Sequence, residues 1–122
     1  MTLSARLLAQ MMEDQAAVIG FVSLPEAKAK ATEQGAVVAQ AKARLDEASA
    51  EYVRIRALLD ANESDEAVIA QYEVAVKDYI DASRYFATQH DDLEAANRKV
   101  TFWKEYYYDL ESQVSQAHPH DE

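Results

Sequence analysis

Between Val68 and Ala117 the chain keeps one heptad frame without interruption. Tyr72, Tyr79, Phe86, Leu93, Val100, Tyr107 and Val114 hold the first core position, and Val68, Ala75, Ala82, Gln89, Ala96, Trp103 and Leu110 hold the second. That repeat predicts a long coiled-coil helix over 65–117. Upstream a second frame, with Leu24, Ala31, Val38, Leu45, Tyr52 and Leu59 at one position and Ala27, Gln34, Ala41, Ala48 and Ile55 at the other, predicts a helix over 24–61. A shorter helix over 3–19 is expected from the stripe Leu3, Leu7, Met11 and Val18, with Leu8, Met12 and Ile19 beside it.

Punctuation separates these segments. Thr2 or Ser4 can cap the first helix and Gly20 is expected to stop it. Ser23 caps the second, with Pro25 in its first turn and Glu26 where a capping box places an acid. Asn62, Glu63 and Ser64 form the next turn, with Ser64 capping the third helix and Asp65 and Glu66 on its positive end. The residues 118–122 contain Pro119 and read as a flexible tail.

The two long frames fit as an antiparallel pair when Leu59 faces Val68, Ile55 faces Tyr72, Tyr52 faces Ala75, Ala48 faces Tyr79, Leu45 faces Ala82 and Ala41 faces Phe86. Large side chains then meet small ones, and the turn falls between Glu63 and Ser64, where the capping residues also put it. Further along, Gln34 and Gln89 occupy neighbouring layers, polar residues of the kind that fix register or meet each other. Carried into the first helix, the same register would seat Glu13 and Arg6 in the seam. The frame must therefore break between Gly20 and Pro25, leaving the first helix to fold back or to find another chain and the end of the third helix to overhang. The expectation is an all-α protein, one elongated domain over 1–117, built as a long antiparallel helical hairpin with a shorter N-terminal helix. Gly35, inside the second helix, reads either as a close approach or as a weak spot.

Charge and composition narrow the function. The formal net charge of −10 disfavours direct binding of nucleic acid or of an anionic membrane surface, since phosphate contacts need Lys or Arg. There is no cysteine for a disulfide or a thiolate site. The apolar run from Ala16 to Leu24 is too short to span a bilayer, and the start of the chain lacks the apolar core of a signal peptide. A cytoplasmic protein, or one incorporated in an assembly formed there, is expected. No Gly-rich phosphate loop or nucleophile–base motif is present, so neither catalytic residues, nor a cofactor, nor a small-molecule substrate is expected. His90, Asp91 and Asp92, or His118, His120, Asp121 and Glu122, could be drawn as metal ligands, but neither set has the spacing of a known metal motif; His90, one turn before Glu94, reads as a surface pair.

The features left over point to surfaces. Phe102, Tyr106 and Tyr108 surround Trp103 and Tyr107 but are not required by the seam, and aromatics of this type anchor interfaces. The competing reading has Phe21, Val22, Leu24 and the first helix covering them. Val53, Ile69, Val76 and Ile80 form a second apolar patch outside the seam. Near the turn Asp60, Glu63, Asp65 and Glu66 make an acidic tip, usually a solvated face. The expected protein is a non-enzymatic protein–protein interaction module, a structural or adaptor component that binds a protein partner, self-associates, or both. The alternative is an acidic inhibitor whose tip docks on a basic nucleic-acid-binding protein as a mimic of phosphate charge.

Overall fold

A computed structural model describes residues 4–117. Thr2, Leu3 and the tail His118–Glu122 lie outside the described residues. The fold is all-α: α1 (Ala5–Val18), a π-helical turn (Ile19–Ser23), α2 (Leu24–Ala61) and α3 (Glu66–Ala117). Two compact units result, one of Met1–Thr32 with Glu94–Glu122 and one of Glu33–Leu93. Among the described residues no helix is long and apolar enough to cross a membrane.

In the unit Glu33–Leu93, α2 and α3 pack against each other as a helical hairpin. Ala41, Ile55, Ala75 and Ala82 are buried, and the seam residues between them are half-buried apart from Tyr79, which reaches the surface. Ile55 is the largest side chain fully removed from solvent. The other buried seam residues of this unit, Ala41, Ala75 and Ala82, are alanines, and larger aliphatic and aromatic side chains fill the layers between them. The Tyr52 ring lies between Tyr72 and Tyr79, at centroid distances of 5.9 and 5.5 Å, as expected for a residue opposite Ala75. Gln34 Nε2 donates to both the backbone O and Oε1 of Gln89 at 2.9 Å. The two polar seam residues thus meet each other across the helices. Gly35, beside them, would place a Cβ in open space; it is a weak spot, not a close approach.

The turn differs from expectation by one residue. Asp65, not Ser64, caps α3: its Oδ1 accepts from the N–H groups of Ala67 (2.9 Å) and Val68 (3.4 Å). A carboxylate both accepts these bonds and opposes the positive end of the helix dipole, an advantage a hydroxyl lacks. The preceding turn closes through Asn62 N–H to Leu59 O and Asp65 N–H to Asn62 O.

In the other unit, Ser4 caps α1 by accepting from Leu7 N–H at 3.2 Å. Gly20 does not stop that helix, and Ser23 caps nothing. The backbone stays in the right-handed helical region through Ile19 and Leu24, and the Leu24 N–H reaches back to Ile19 O, five residues away. The first helix does not fold back but runs on into α2. Two local facts account for the wide turn. Pro25 has no N–H to give, and its ring would crowd the carbonyl of Phe21 in a regular α-helix. Gly20 lets the turn pass against the Tyr107 ring, because a Cβ there would stand 3.1 Å from Tyr107 Cε2.

The turn also resolves the conflict in register. One extra residue shifts the inward set of α1 to Ala9, Met12, Ala16 and Ile19, of which Ala9 and Ile19 are buried and the other two half-buried. Arg6 is exposed, and Glu13 is half-buried at the edge of the seam. The end of α3 is therefore lined by α1 and does not overhang: Leu110 is buried, and Tyr107 and Val114 are half-buried.

Candidate interaction surface

The side chains that the seam does not need are held outward by the same helical geometry that buries their neighbours. On α3, Trp103 and Tyr107 turn inward and stay half-buried, whereas Phe102, Tyr106 and Tyr108 are 56%, 41% and 67% exposed. Phe102 and Tyr106, one turn apart, stack at 6.0 Å, and Trp103 meets each of them edge-on at 5.1 and 6.3 Å. Tyr108 lies on the other side, against Tyr107 at 6.2 Å. Of the residues expected to cover this group, Phe21 (83% exposed) and Val22 face solvent, whereas Leu24 is half-buried and α1 borders Phe102, Trp103 and Tyr106 without closing over them.

Two grooves border α1. One is lined by Asp14, Gln15, Val18, Ile19 and Ser23 together with Phe102, Trp103 and Tyr106. The other runs between Glu13, Ala16, Ala17, Gly20 and Phe21 and the α3 residues Tyr107, Glu111, Val114 and Ser115. In the second, hydrogen bonding to the Glu111 carboxylate pushes the Tyr107 phenol above its usual pKa, since a donated proton is held more tightly beside an anion.

The sequence-predicted patch on the hairpin is narrower than expected. Val53 and Ile80 are exposed, while Ile69 and Val76 are half-buried. The opposite side carries an apolar residue that sequence reasoning passed over, Val74, in a groove with Glu51, Arg54, Gln71 and Asp78. Its place outside the heptad frame was the available signal. Leu7, Leu8, Met11, Val18 and Phe21 are also exposed; their exposure depends on the shifted face of α1.

At the tip Asp60, Glu63, Asp65 and Glu66 are all exposed, and Asp65 is committed to the cap of α3. Elsewhere on the hairpin, short-range pairs hold charge locally: Lys42 with Asp46 at 2.7 Å and Arg54 with Glu51 at 2.6 Å. Exposed pairs of this kind contribute little to stability. His90 packs its ring against Phe86, with centroids 5.9 Å apart. Comparison with family models, with curated proteins and with solved structures finds no match to this chain.

Proposed function

We propose that this protein is a non-enzymatic interaction module, a structural or adaptor component of a larger assembly, whose coiled-coil hairpin presents helix surfaces to other proteins. The carrying observation is the exposure of Phe102, Tyr106 and Tyr108 around a half-buried Trp103. Large aromatics lose little conformational freedom on binding and contribute much of the energy of a protein interface. Val53 and Ile80, with Ile69 and Val76 behind them, form a second surface suited to self-association. The test is to replace Phe102, Tyr106 and Tyr108 by Ser and to measure both helicity and association. The expected result is loss of association with little loss of helicity; a large loss of helicity would make these residues part of the core instead.

The exposed carboxylates Asp60, Glu63, Asp65 and Glu66 favour a second reading, an acidic inhibitor of a basic nucleic-acid-binding protein. Ionic strength separates the two readings. Binding that collapses in salt and survives loss of the aromatics belongs to the acidic tip; salt-tolerant binding lost with Tyr106 belongs to the belt.

A further inference from the structure

We propose that the groove between α1 and the end of α3 seats one amphipathic helix of a partner protein, with its apolar face inward and Lys or Arg along its edge. The inference rests on the aromatic belt being a partner surface, and it names the chemistry of the partner. The groove has apolar walls on both sides, Val18 and Ile19 on one and Phe102, Trp103 and Tyr106 on the other, and a volume of about 570 Å³. From Asp14 to Ser23 it follows the chain for roughly 13 Å at the helical rise, more than two turns. Exposed Met11 and Leu7 continue the apolar strip one and two turns further along α1. A trough of that length between two packed helices matches the anchors of a third helix, spaced at three and four residues.

Charge selects the occupant. Asp14 stands on the rim of this groove and no Lys or Arg lines it; beyond its Ser23–Trp103 end Glu26 stands with Lys30 and Lys99, so the acidic edge is the one at Asp14. A cationic residue on the edge of the seated helix would meet the Asp14 carboxylate. A second copy of this chain would not offer one, because a self-complementary contact brings each surface against its own kind. Asp14 would then approach carboxylates of a molecule whose net charge is already −10.

The test uses the full chain and a labelled helical peptide of about 15 residues, near the length at which isolated helices hold together, built of Leu and Lys, with a Leu and Glu counterpart. The Leu–Lys peptide is expected to bind and the Leu–Glu peptide not. Joint Phe102→Ser and Tyr106→Ser substitution should weaken binding tenfold or more, in the range of interface anchors, with helicity retained; Val18→Ser, on the facing wall, should weaken it as well. Asp14→Asn should flatten the salt dependence, and a control with Glu73→Gln and Asp78→Asn on the hairpin should bind unchanged. Leu–Lys binding that survives loss of Phe102 and Tyr106, or falls equally in the control, overturns the proposal as general attraction to an acidic protein. Binding of the Leu–Glu peptide that depends on Phe102 and Tyr106, or dimerisation of the protein through them, overturns the basic helix but keeps the belt as an interface. If neither peptide binds and the protein stays monomeric, the belt reading falls as well.

Discussion

The two units use the same heptad seam and finish it differently. In Glu33–Leu93 the surplus beyond the seam is charge: thirteen carboxylates against six Lys and Arg. In Met1–Thr32 with Glu94–Glu122 the balance is nine against six, and the surplus is apolar. Leu7, Leu8, Met11, Val18, Phe21, Val22, Phe102, Tyr106 and Tyr108 are all exposed there. A seam of alternating large and small residues needs few side chains to close. What lies outside it is then free to vary, mostly charged in one unit and more apolar in the other. The repeat sets the architecture, and the residues it does not require distinguish one surface from the other.

The most damaging way to test this division is to cut into each core. Ile55→Ala should cost about 2–5 kcal/mol, the usual range for a large aliphatic lost from a packed site, measured by denaturant unfolding. Amide hydrogen exchange should rise mainly within Glu33–Leu93, and the equivalent Leu110→Ala change should raise it in the other unit. Equal acceleration across both units for either change would erase the distinction.

Much of this fold is legible in the sequence because a repeat of seven is insensitive to detail. Every predicted seam position of α2 is buried or half-buried, and on α3 only Tyr79 among those described reaches the surface. The turn is legible to within one residue, since Ser64 and Asp65 are both competent caps and only the electrostatic advantage of the carboxylate separates them. The π-helical turn is not read in advance. Gly20, Ser23 and Pro25 carry the ordinary signals of a helix stop and restart, whereas the outcome depends on a one-residue change of phase. That phase is nevertheless written in Ala9, Met12, Ala16 and Ile19, which repeat the three-and-four alternation one residue out of step with α2. The belt is legible by the same logic, because Phe102, Tyr106 and Tyr108 fall outside the frame. The exposure of Phe21 is not, since it follows from the unanticipated path between α1 and α2.

A finer comparison lies within the hairpin seam, where Gln34 and Gln89 interrupt an otherwise apolar run. Gln34→Leu alone strands Gln89 in a half-buried layer and should destabilise by about 1–3 kcal/mol, the cost of leaving a polar group unpaired. Joint replacement of both by Leu should recover that loss and raise stability above the parent, and should broaden the distribution of oligomers if the pair specifies register. A thermodynamic cycle with both single variants and mass measurement of each reads the coupling directly. Additive effects would mean that the 2.9 Å bond contributes nothing specific.

The two glycines sharpen the contrast between units at smaller scale. Gly35→Ala meets open space and should stabilise by about 1 kcal/mol, the difference in helix propensity. Gly20→Ala gains the same propensity but must displace the Tyr107 ring, 3.1 Å from the new Cβ. It should therefore stabilise less, or destabilise. Thermal unfolding of the two variants side by side checks the ordering, and equal stabilisation would show that the ring yields freely.

The smallest expected effect separates the units by pH. In the hairpin, Tyr52 accepts hydrogen bonds from Tyr72 and Arg56, and these hold its phenol below the usual value, while Tyr72, as the donor, is raised. In the other unit the bond to Glu111 raises Tyr107. The linkages of Tyr52 and Tyr107 are opposite in sign, and Tyr72 shares the sign of Tyr107. A phenol raised in the folded state stabilises fully below its unfolded pKa of about 10 and loses that contribution as pH climbs through the folded value. A phenol lowered in the folded state begins to contribute as pH rises through its folded value and contributes fully above the unfolded one. On an alkaline titration followed by ultraviolet difference absorbance, Tyr52→Phe should remove an early-ionising tyrosine and Tyr107→Phe a late one. Tyr107→Phe should lessen the loss of stability at alkaline pH directly, whereas Tyr52→Phe should do so only through the Tyr72 phenol that it no longer raises. The same tyrosine disappearing from both titration curves, or a Tyr107 variant as sensitive to alkali as the parent, would remove the Glu111 bond as a feature of that unit.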